Sequence, residues 1–195
     1  MTLSPYHQQQ KALSDEEILK RIAAKEEELQ AVLKKEPLHF KTSPIRIAVL
    51  GCGDRRYIHL HRVLFEKFLQ KPVHVVTFDI VIEHLKSEDG IVQHDCVEPL
   101  PGGPFVLVYS HVLLKFIETA KQWDVLFNSY QALSPGGLAV HVMDREEIDD
   151  SSSVPSNGFS PVPLSQWRKM LDASAIPHSL IPVKYGQVLV LRQPL

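Results

Sequence analysis

The sequence predicts an α/β fold: a doubly wound, mostly parallel sheet with a C-terminal antiparallel hairpin and an added N-terminal helix. Three observations carry this. Short, near-continuously apolar runs alternate with stretches of helical periodicity from Ile45 onward, the pattern of strands covered on both faces. The first run leads straight into a glycine turn, Gly51-Cys52-Gly53-Asp54. The last two runs flank a Lys184-Tyr185-Gly186 turn, which reads as a hairpin.

The N-terminal region, residues 1–44, forms a helical extension to the α/β domain of residues 45–195. Ser14-Asp15-Glu16-Glu17 is a capping box, in which the serine accepts from the third amide and the glutamate reaches back. Ile18, Leu19, Ile22, Leu29, Val32 and Leu33 follow at helical spacing, and Pro37 stops the run. That apolar stripe must be buried, over the site or in a homodimer.

Strands are expected at 45–50, 73–78, 91–94, 105–109 and 138–142, with helices at 57–69, 111–133 and 164–173. The stretch 149–163, rich in Ser, Pro, Asn and Gly, is expected to be a loop or flap. In such a sheet, ligands bind at the carboxyl ends of the strands.

Composition narrows the partners. The 195 residues suit one domain with an appendage. With 21 basic and 23 acidic residues mixed along the chain, no overall field draws in nucleic acid or an anionic membrane. Cys52 and Cys96 stand far apart, outside any zinc-ligand spacing. No metal is expected, although Asp144 follows the fifth strand. The start lacks signal-peptide character, and no apolar run approaches the ~20 residues that span a bilayer. A cytoplasmic protein is expected.

The chemistry concentrates at strand ends. Glycines after the first strand let the backbone turn sharply and approach a ligand. A dinucleotide fingerprint would need glycine where Arg56 stands, which argues against an oxidoreductase. Asp79 closes the second strand, where a carboxylate can accept from ribose hydroxyls. Asp95 ends the third strand, as a base contact or a turn residue.

This ordered set resembles the class I S-adenosylmethionine-dependent methyltransferases over about residues 45–191. VLGCGD resembles their glycine loop, VVTFDI their second motif, IVQHDCVEPLP their third, PFVLVYSHVLLKFI their fourth-strand segment, and ALSPGGLAVHV their Pro-Gly-Gly turn and fifth strand. The resemblance implies S-adenosyl-L-methionine as cofactor, held by Gly51, Cys52, Gly53, Asp54, Asp79, Ile80, Asp95, Cys96 and Ser110. It implies His111 and Tyr109 beside the transferable methyl, with His111 as base or positioning group. Val49 stands where the family usually has an acid, and Arg55 where it often has a third glycine. The Asn/Asp-Pro-Pro-Tyr signature of base amino-group methylation is absent. The implied function is methyl transfer to an unidentified acceptor, a small molecule or peptide. The alternative is a noncatalytic binding or scaffold protein.

Overall fold

The computed structural model describes residues 12–40, 44–146, 148 and 159–195. Seven strands form one sheet in the order β3-β2-β1-β4-β5-β7-β6. They are β1 (Ile45–Leu50), β2 (Val73–Asp79), β3 (Ile91–Gln93), β4 (Phe105–His111), β5 (Leu133–Asp144), β6 (His178–Pro182) and β7 (Gly186–Arg192). β3, β2, β1, β4 and β5 are joined in parallel, and β7 runs antiparallel to both β5 and β6. The expected mostly parallel sheet with a C-terminal antiparallel hairpin is therefore observed.

Alternation along the strands assigns the two faces of the sheet. Ile45, Ile47 and Val49 of β1 pack on one side with Leu64 and Phe65 of α2 (Arg56–Leu69), and with Leu29 and Val32 of the N-terminal helix α1 (Asp15–Lys35). Ala48 and Leu50 face the other side. There they meet Val125 and Leu126 of α3 (Thr119–Gln131) and Trp167 and Leu171 of α4 (Leu164–Ala173). The result is a helix–sheet–helix sandwich.

The capping box forms as the sequence implies: the Glu17 amide donates to Ser14 Oγ at 3.2 Å, and the Ser14 amide donates to Glu17 Oε2 at 2.7 Å. Acidic residues in the first turn and Lys34 and Lys35 in the last complement the helix dipole. Part of the apolar stripe is buried within the chain itself, at Ile18, Leu29 and Val32, while Leu19 stays 57 % exposed. Ile18 packs with Cys52, Tyr57 and Leu85, while Leu29 and Val32 join the core below the sheet.

Two elements differ from expectation. The helix expected over 111–133 is broken: β4 runs to His111, a single 3₁₀ turn spans Leu114–Phe116, and α3 begins at Thr119. The cause is the backbone at Val112, whose φ of 56° no helix accommodates. The Pro135-Gly136-Gly137 turn, expected to precede β5, lies inside it as an irregularity in the pairing with β4. Of the segment 149–163, residues 149–158 lie outside the described set. Its end is ordered against the domain, with Ser160 N–H donating to Lys115 O and Val162 buried.

Leu29 is 1 % exposed, so Leu29→Ala is expected to cost about 2–5 kcal/mol through lost burial and a cavity. Thermal unfolding should show a Tm drop of roughly 5–15 °C. A loosely docked α1 would leave Tm nearly unchanged.

Candidate functional site

The strand order reverses between β1 and β4, and a cavity opens at the carboxyl ends around that switch point, the expected place for a ligand. Its volume is about 410 Å3. Gly51 and Cys52 after β1, Asp79 and Ile80 at the end of β2, Asp95 and Cys96 after β3, and His111 at the end of β4 all line it. The structure thus brings seven of the sequence-derived candidates into one cavity.

The glycine turn is held by Asp79. Its buried carboxylate accepts the Cys52 amide at 2.7 Å through Oδ2 and the Val81 amide at 2.9 Å through Oδ1. One side chain therefore ties the end of β1 to the end of β2. Gly51 has φ +76°, and a Cβ there would stand 3.0 Å from Leu113 Cδ1, so the position favours glycine on both conformation and space. Burial pushes the Cys52 and Cys96 thiols up to about 12, which makes both poor nucleophiles at neutral pH.

Asp95 is exposed, and its side chain also closes a turn by accepting the Val97 amide at 3.2 Å. Ile80 is 58 % exposed. A large apolar side chain kept bare at a cavity wall is suited to the flat face of a ligand.

Four candidates lie elsewhere. Gly53 and Asp54 line a separate cavity of about 600 Å3 with Arg55, Arg56, Glu83, His84 and Lys86. Asp54 is bound by Arg56 at 2.8 and 2.9 Å, and Arg56 also donates to Asp15 Oδ1 at 2.7 Å and Leu13 O at 2.9 Å. Burial pushes the Asp54 carboxyl up, but the Arg56 hydrogen bonds outweigh it and hold the group below its ordinary value. The arginine standing where a dinucleotide fingerprint has glycine thus fastens the loop to the start of α1. Tyr109 and Ser110 point into the core. Tyr109 packs edge-on against Phe65, with its hydroxyl unpartnered among the described residues, and Ser110 Oγ lies 2.8 Å from His141 Nδ1.

His111 reaches the cavity edge, with its Nε2 3.1 Å from Glu28 Oε2 of α1. Burial, then the charge of Lys25, lowers its pKa, while the Glu28 hydrogen bond and charge raise it. Lys25, also buried, places Nζ 3.1 Å from His61 Nε2 and 4.5 Å from the Tyr57 ring centroid. Sequence reasoning missed Lys25 and Glu28. A signal was present: Lys25 occupies the place in the stripe Ile18, Ile22, Leu29, Val32 where an apolar residue is due.

Phe116, Ile117, Glu118 and Lys121 also line the cavity, and sequence reasoning missed them. Phe159, from the end of the Ser/Pro-rich segment, packs edge-on against Phe116 at 5.2 Å. Asp144 lies 3.7 Å from Lys115 Nζ. No group of three or more metal-ligating side chains occurs among the described residues. No helix there is long and apolar enough to cross a membrane.

The sheet order, the switch-point cavity and the reversed β7 together define the class I methyltransferase-like fold, and comparison with solved structures agrees. An O-methyltransferase family protein from Burkholderia thailandensis superposes with a TM-score of 0.57 at 10 % identity, over 77 % of this chain and 51 % of that one. The N-methyltransferase NodS from Bradyrhizobium japonicum WM9 gives 0.56 at 14 % identity, over 94 % of this chain and 100 % of that one. LepI, solved in complex with SAM, gives 0.58 at 16 % identity, over 83 % of this chain and 46 % of that one. This chain thus spans about half the length of the Burkholderia protein and of LepI. No protein-family model and no curated protein matches the sequence.

The buried histidines make stability depend on pH. Burial lowers His141 from 6.5 to about 4, and lowers His61 and His111 in the same direction. As pH falls below 6.5, the unfolded chain takes up protons that folded His141 refuses until about pH 4. Stability is therefore full above 6.5, declines through that window and levels off beneath it. His141 alone contributes on the order of 3 kcal/mol. Denaturant unfolding at pH 7 and pH 5 should show the loss, and His141→Asn should reduce it; equal stabilities would contradict the burial.

Proposed function

We propose that this chain transfers a methyl group from S-adenosylmethionine to a small-molecule or peptide acceptor. One observation carries the reading: a glycine turn and two carboxylates, at the ends of β1, β2 and β3, meet in a single cavity. Its volume lies within the ~300–1,000 Å3 usual for cofactor sites.

The residues present fit such a cofactor. Gly51 and Cys52 offer bare backbone at the turn, Asp79 can accept ribose hydroxyls while it holds the loop, and Ile80 presents an apolar face to a base. Asp95, exposed and also lining the cavity, can accept from an exocyclic amine. When bound, S-adenosylmethionine supplies an electrophilic sulfonium methyl carbon, with the neutral thioether left behind once the acceptor's lone pair has taken the methyl group. The protein's remaining work is alignment and exclusion of water. Phe116 and Ile117 provide apolar wall, and His111 also lines the cavity, where a neutral imidazole can take the proton that an oxygen or nitrogen acceptor loses.

Calorimetry with S-adenosylmethionine and S-adenosylhomocysteine tests the reading. Asp79→Ala should weaken binding about tenfold to a hundredfold, since hydrogen bonds to a charged acceptor are worth roughly 1.5–3 kcal/mol each. Because Asp79 also holds the loop, Ile80→Asp is the control: it changes an exposed side chain and should reduce affinity with Tm intact. Absence of binding to the wild type would refute the proposal. With an acceptor in hand, His111→Gln should cut turnover about a hundredfold or more.

A further inference from the structure

Helix α1 is an addition to the sheet domain, yet it sends two ionisable groups inward. Glu28 is 6 % exposed, whereas Asp15, Glu16, Glu17 and Glu27 of the same helix are exposed. Removing a carboxylate from water is unfavourable unless a partner compensates, and an apolar residue would pack there without that cost. A helix that served only to cover the sheet would have no use for it. The partner of Glu28 is the imidazole at the cavity edge, His111, with 3.1 Å between Oε2 and Nε2.

We propose that Glu28 is a positioning residue that holds His111 in one orientation and one tautomer, so that α1 forms part of the working site. This rests on the reading of His111 as the group beside the acceptor. An ionised carboxylate only accepts hydrogen bonds, so His111 Nε2 carries the hydrogen and Nδ1 keeps its lone pair. The arrangement is that of a carboxylate orienting a histidine from behind. Without Glu28 either tautomer is open to the ring, and its plane can turn.

The surroundings reinforce the pairing. Lys25, one turn before Glu28, balances its charge inside the protein and lies against His61. The groups facing His111 are Lys25 and Glu28 from α1, His61 from α2, Tyr109 from β4 and Asp144 from β5. Burial and Lys25 disfavour the imidazolium, and Glu28 and Asp144 favour it. The helix is fixed at both ends: Arg56 binds Asp15 at the start, and Arg192 donates to Glu36 Oε2 at 2.9 Å at the finish. Glu28 therefore sits on a rigid support, as accurate placement requires.

The test uses full-length protein with 15N-labelled histidine, with and without S-adenosylhomocysteine. Ring-nitrogen spectra of the wild type should show His111 with hydrogen on Nε2. In Glu28→Leu this preference should give way to a mixture. In Glu28→Gln, an isosteric change that keeps the helix docked, the titration of His111 should move down by about one pH unit, because an opposite charge within hydrogen-bond reach is removed. Affinity for S-adenosylhomocysteine should stay within about twofold in both variants, as expected of a residue acting through another. Unchanged tautomer and titration in both variants would overturn the proposal. Failure of the wild type to bind S-adenosylhomocysteine would instead overturn the methyl-transfer reading, and the His111 spectra would still decide whether Glu28 holds the ring.

Discussion

The Asp79 carboxylate is the point on which the site depends. It ends β2, accepts the amide of Cys52 and so fixes where the chain turns after β1. That turn sets the positive φ of Gly51, the burial of Cys52 against α1 and the direction in which α2 departs. A parallel sheet leaves its strand ends with backbone groups that loops must satisfy. Here one buried side chain does so for two neighbouring strands and lines the cavity between them. Structural and ligand-facing roles are combined in a single residue.

Around this centre, α1 behaves as part of the domain. Its residues enter two core clusters, its first turn is bound by Arg56 beside the glycine turn, and its buried acid meets β4. The two ionisable groups it brings inside work against burial, while Leu29 and Val32 work for it. Apolar contacts hold the helix in place so that Lys25 and Glu28 can be kept out of water. In the proposed function, burial and Lys25 keep the imidazole at the cavity edge neutral, and Glu28 orients it.

Much of the fold was legible in the sequence because burial on both faces writes strands as apolar runs: β1 and α4 lie where periodicity put them, and the hairpin follows. The break after His111 was not legible, since 111–133 keeps helical periodicity and nothing local announces the left-handed backbone at Val112. The turn at 135–137 was misplaced for a related reason: Pro-Gly-Gly signals a departure from regular pairing, and a strand can absorb one without ending. In the site, Gly51, Asp79 and Asp95 were legible because each closes a strand. Gly53 and Asp54 were grouped with them by adjacency, although the turn sends them to the other side. Tyr109 and Ser110 were assigned from proximity to the end of β4, but both faces of that strand are covered, so consecutive side chains are each buried on their own side. Glu28 was hidden because an acid in a charged helix reads as solvated; only its contact across 83 positions with His111 gives it meaning.

The most direct test of this account is a crystal structure of the full chain with S-adenosylhomocysteine. The account predicts the adenosyl group in the switch-point cavity, its ribose hydroxyls within hydrogen-bond distance of Asp79, and its sulfur at the end nearest His111. A ligand lodged outside that cavity, or one inside it that leaves Asp79 bonded only to the protein, would contradict it.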